Sequence, residues 1–114
     1  MSVVRVKPGV EFSIIAPGGF RILSALEQAC RKLDYGDFTI TSGTEGEHSG
    51  PTDPHKRGEA YDLRSKDFSE ALRPVILNAI LAILGTENFF GFMEAPGTDN
   101  EHFHFQVRKG MTYP

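Results

Sequence analysis

The sequence has one cysteine, Cys30, so no internal disulfide can form and a cysteine-rich structural zinc site is excluded. Cys30 falls among apolar residues of an expected helix, where it reads as a small buried hydrophobe. Long apolar runs are also missing: Val75–Leu84 is about half of what a bilayer needs. The start, Met1-Ser2-Val3-Val4-Arg5-Val6, has neither the longer apolar stretch nor the small-residue cleavage site of a signal peptide. There is no run of lysines or arginines, and the formal charge is −3. That balance gives no electrostatic case for nucleic acid or for an anionic membrane surface. No internal repeat, low-complexity tract or linker interrupts the chain.

The chain does have enough apolar sequence for one core. With 114 residues, 39% of them hydrophobic and 24% charged, a single compact domain over residues 1–114 is expected. Val3–Val6 and Glu11–Ile15 read as short strands separated by Pro8-Gly9, and Pro17-Gly18-Gly19 as the turn that follows. Phe20, Leu23, Leu26, Cys30 and Leu33 recur at three- and four-residue steps, which predicts a helix over Phe20–Leu33, with Gly36 as its stop. Phe38–Thr41 alternates as a strand. Ser42–Gly58, rich in glycine and proline, is a long loop of the kind that is usually functional or disordered in a compact domain.

After the loop, Ala60–Arg64 reads as a strand with Ala60, Asp62 and Arg64 on one face and Tyr61 and Leu63 on the other. A second helix is expected over Phe68–Leu84, with Asp67 and Glu70 resembling a capping box. Pro74 lies too deep for that start, so either a kink there or a true beginning nearer Arg73 is implied. Val75–Leu84 is apolar nearly all round, as a central buried helix would be. Phe89–Glu94 reads as a strand, Ala95–Asn100 as a turn and His102–Arg108 as a final strand. In that last strand Phe103, Phe105 and Val107 face one way and His102, His104 and Gln106 the other.

Those polar faces carry the chemistry. If the two strands lie side by side, Asp62 and His104 converge above the sheet. His55, at the end of the loop, needs only the turn at Gly58 to fold over the same place. Three protein ligands with an open fourth position is the form of a catalytic zinc site. Taken singly, each residue has a plainer reading, as a surface histidine or half of an ion pair. His48 reads as a solvent-exposed histidine, with an extra loop ligand as the alternative.

Thr41-Ser42-Gly43, His55-x-x-Gly58-x-Ala60-x-Asp62 and Glu101-x-x-His104 together resemble the D-alanyl-D-alanine metallopeptidase superfamily, over about Phe20–Val107. Its members include cell-wall carboxypeptidases and dipeptidases, phage endolysins that cut the L-alanyl-D-glutamate bond, and the Hedgehog amino-terminal domain. The resemblance implies Zn²⁺ held by His55, Asp62 and His104, lowering the pKa of its water and polarising the scissile carbonyl. It implies Glu101 as the general base, on an α+β fold whose small antiparallel sheet packs one face on helices and carries the zinc site on the other. His102 has the better strand parity for the site and is a second candidate for the base; the resemblance implies for it a part in stabilising the transition state, with support of a metal ligand as the alternative. The chain departs from the family after Ser42-Gly43, where Thr44-Glu45-Gly46-Glu47 replaces a substrate-binding arginine that Arg57 or Arg64 could supply. It departs again at Asp53, where many relatives have serine.

The implied function is hydrolysis of peptidoglycan stem peptides by a monomer, in the carboxypeptidase or endopeptidase mode. No nucleic acid partner and no transmembrane segment are expected. The protein would be made in the cytoplasm and act at the cell wall after release by a phage-type route. Two rivals remain: a zinc-stabilised binding module, and a metal-free structural component of a phage in which the three residues are incidental.

Overall fold

The computed structural model describes residues 1–46, 50 and 52–108; His48 and Ser49 lie outside them. Seven elements follow in order: β1 (Val4–Val6), α1 (Pro17–Leu33), β2 (Phe38–Ser42), β3 (Ala60–Arg64), α2 (Leu72–Leu84), β4 (Phe89–Glu94) and β5 (His102–Val107). The strands form one sheet in the order β1-β2-β3-β5-β4. Residues that alternation sends to one side of the sheet join the two helices in a single core. Phe38, Ile40, Tyr61, Leu63, Phe89, Phe103 and Phe105 pack there with Ile22, Leu26 and Cys30 of α1 and Ile76 and Ile80 of α2. Phe103 and Phe105 are fully buried, and each such side chain contributes about 1.5–3 kcal/mol by leaving water. Cys30 is buried as expected, and burial pushes its thiol pKa up. Among the described residues no helix is long and apolar enough to cross a membrane.

The class is α+β, with two helices against a five-stranded sheet. The sheet is mixed rather than antiparallel. β1 runs parallel to β2, pairing Val4 with Phe38 and Val6 with Ile40, because α1 carries the chain back as a crossover between them. Glu11–Ile15 forms no strand. Instead it braces the loops near the site: Glu11 O accepts from Thr44 N (2.8 Å), and Gly58 O accepts from Ala16 N just beyond it (3.2 Å).

Pro17-Gly18-Gly19 is the first turn of α1 and not a turn before it. Proline costs nothing there, since the first N–H groups of a helix have no intrahelical partner. Gly19 is required by a close approach, because a Cβ would fall on the carbonyl oxygen of Gly58. α2 begins at Leu72 without a side-chain cap, so the Asp67–Glu70 box does not form. Pro74 then lies in the first turn, where no hydrogen bond is lost. Nor is α2 buried all round. Its buried residues are Ile76, Ile80 and Leu84, whereas Val75 is 44% exposed, because the helix packs against α1 and β4 on one side only.

Candidate metal centre

β3 and β5 pair antiparallel with Asp62 opposite His104, Leu63 opposite Phe103 and Arg64 opposite His102. Burial of Tyr61, Leu63, Phe103 and Phe105 in the core turns Asp62, His102 and His104 to the other side of the sheet. A register shift in β2 between Ile40 and Ser42 sets Ser42 beside Asp62. The next residue, Gly43, puts its carbonyl 3.2 Å from His55 Nδ1.

His55 is delivered by a tight turn. Its N–H donates to Asp53 Oδ1 (2.9 Å), its carbonyl accepts from Gly58 N (3.1 Å), and Glu59 N donates to Pro54 O (2.9 Å). Gly58 closes this turn at φ +69°, in the left-handed region that a side chain disfavours.

His55, Asp62 and His104 are thereby close enough to hold one metal ion, their candidate ligand atoms all lying within 4.8 Å of one another. His104 Nδ1 is 2.8 Å and His55 Nε2 3.4 Å from Asp62 Oδ1. Both histidines are more than nine-tenths buried. The far nitrogen of each ring faces an acceptor: Gly43 O for His55 Nδ1, and Gln106 Oε1 (2.8 Å) for His104 Nε2. With each far nitrogen donating, a neutral ring turns its remaining lone pair to Asp62, and a protonated ring donates to it instead. Such a convergence of electron-rich atoms is completed by a cation, either a proton or a metal, and oriented imidazoles of this kind are how proteins hold metals. The donor set fits.

The charges agree. Burial pushes the Asp62 carboxyl up, but hydrogen bonds from His104 and His55 outweigh it and hold the pKa well below the usual carboxylate range. Burial lowers the His104 pKa, yet its bonds to Asp62 and Gln106 leave it raised. A cleft of about 300 Å³ opens over the three residues, walled by Asp53, Pro54, Glu94, His102 and Gln106.

Glu101 is not among them. Its carboxylate is 2.7 Å from Arg73 Nη1 at the start of α2 and 3.3 Å from Ser65 Oγ. The residue expected as general base thus stands against the start of α2, outside the walls of this cleft. It was the residue just before β5 that sequence parity left free, and a half-buried arginine claims it.

His102 does line the cleft. Its Nδ1 faces the Asn100 carbonyl (2.7 Å), and its Nε2 lies 2.9 Å from Glu94 Oε1 and 3.4 Å from Asp62 Oδ2. Glu94 was not singled out from the sequence. The available signal was the alternation of β4, which places Phe90, Phe92 and Glu94 on one face, with Glu94 opposite His102 in the ladder. Phe92, 41% exposed, sets its ring 5.2 Å from that of His104.

Of the two arginines offered for substrate, Arg57 is engaged by Glu59 Oε1 (2.7 Å) and the Thr52 carbonyl (2.9 Å). Arg64 lines a neighbouring cleft of about 230 Å³ with Lys7 and Lys66. Comparison of the chain with protein families, curated proteins and solved structures returns no match.

Proposed function

We propose that this chain is a zinc-dependent peptidase that hydrolyses peptide bonds in peptidoglycan stem peptides. The observation that carries the proposal is the convergence of His55, Asp62 and His104 on one point at the floor of an open cleft. The resemblance of the His55–Asp62 and Glu101–His104 segments to the D-alanyl-D-alanine metallopeptidases supplies the substrate class.

His55, Asp62 and His104 would hold the ion at the cleft they line. Zinc bound there supplies Lewis acidity, polarising a carbonyl and acidifying a water. Proton handling falls to His102 and Glu94. The Asn100 carbonyl can only accept, so His102 keeps its proton on Nδ1 and turns Nε2 to Glu94 and the cleft. The pair can hold one proton between Nε2 and Oε1, take it up on the cleft side and return it to a leaving amine. Gln106 and Gly43 hold the two imidazole ligands in their orientation.

A second reading, a zinc-stabilised binding module on the same scaffold, is supported by the commitment of Glu101 to Arg73. Two measurements separate the possibilities. Metal analysis of protein purified without chelators should find about one zinc per chain, lost in His55→Ala and His104→Ala. Protein free of metal would favour a structural component in which these residues are incidental. Incubation with purified cell wall should release new amines with wild type and far fewer with His102→Gln. Zinc-loaded wild type that releases none would establish the binding module.

A further inference from the structure

We propose that the cleft has a second cation site, in which Asp62, Glu94 and His102 hold a divalent transition metal and Asp62 bridges it to the first. The inference rests on the first metal centre proposed above. The two oxygens of Asp62 serve different neighbours. Oδ1 is approached by His104 Nδ1 (2.8 Å) and His55 Nε2 (3.4 Å), whereas Oδ2 is 3.4 Å from His102 Nε2.

On the Oδ2 side, Glu94 Oε1 lies 2.9 Å from the same nitrogen, and candidate atoms of Asp62, Glu94 and His102 all fall within 4.8 Å of one another. The Asn100 carbonyl holds the Nδ1 proton of His102, which frees the Nε2 lone pair for a cation. One imidazole and two carboxylates suit Zn²⁺, Co²⁺ or Mn²⁺. A carboxylate shared between two dications offsets their repulsion, and Glu94 adds a further negative charge beside them.

The two sites differ in depth. His55 and His104 are buried, whereas the Glu94 side chain is 48% exposed, so the second ion binds more weakly and fills last.

Calorimetric titration of Zn²⁺ into the metal-stripped full chain tests this. Wild type should show two binding events, the weaker of which is lost in both Glu94→Gln and His102→Gln while the tighter one remains. A single wild-type event unaffected by either change would overturn the second site and leave the first intact. Two events that both survive the substitutions would overturn its location. No event at all would overturn the first site as well. Co²⁺ titration of wild type asks the same without substitution: visible absorption that still grows with a second equivalent supports the pair, and saturation at one overturns it.

Discussion

Asp62 and His104 stand directly opposite each other across the β3–β5 ladder, with Nδ1 of the histidine 2.8 Å from Oδ1 of the aspartate. Their meeting is a property of strand register, since a slip of one residue would send one of them into the core. The contact is held from below by Phe103, Phe105, Tyr61 and Leu63, all fully buried.

Metal removal should lower stability. An ion bound to the folded state alone, at about a hundred times its Kd, adds about 2.7 kcal/mol. Thermal melts with and without chelator should therefore separate for wild type and coincide for Asp62→Ala. Coincident melts of wild type would show that no metal is held by the folded chain.

The metal-free protein should have two pH limbs. The Asp62 pKa is lowered from 3.8, so its contribution is present above that value and is lost as pH falls through the depressed one. The His104 pKa is raised from 6.5, so its contribution is complete below that value and is lost as pH rises through the elevated one. Melting temperature should peak between these limits. Saturating zinc should abolish the alkaline limb, because the ion replaces the His104 proton. Differential scanning calorimetry across the range reads both limbs.

Glu101→Gln should behave as a structural change. It removes the charge that pairs with Arg73, two side chains that are 12% and 19% exposed, and should cost about 1–3 kcal/mol. Zinc content should be unchanged. Denaturant melts and metal analysis on one preparation distinguish this from a general base, whose loss would abolish hydrolysis without affecting stability.

Gly58→Ala should damage both fold and site. The residue sits at φ +69°, and an added Cβ would fall on the carbonyl of Ile14. Positive φ alone costs about 1 kcal/mol or more. The displaced turn also carries His55, so zinc affinity should fall alongside the melting temperature. A variant with wild-type affinity would show that His55 does not depend on this turn.

Tyr61→Phe tests the core beneath the site. The Tyr61 hydroxyl is buried with no hydrogen-bond partner among the described residues, and burial pushes its pKa up to about 12. Removing it should be neutral or stabilising by about 1 kcal/mol, read as a higher denaturation midpoint. A loss of stability would reveal a partner for the hydroxyl.

The sequence by itself determined what alternation and helical periodicity can carry. Ala60–Arg64 and His102–Val107 each have one apolar and one metal-capable face, and His55 follows a glycine-rich loop into a turn. That was enough to bring His55, Asp62 and His104 to one place, because the side of a strand on which a residue falls is a local property. Which strand lies beside which is not local. Only the tertiary structure set β1 parallel to β2, left Glu11–Ile15 as a brace, and laid β4 against β5 so that Glu94 meets His102. It also decided the fate of Glu101. The residue precedes the strand, where parity imposes nothing, and its direction was settled by Arg73, a half-buried positive charge 28 residues away in the chain.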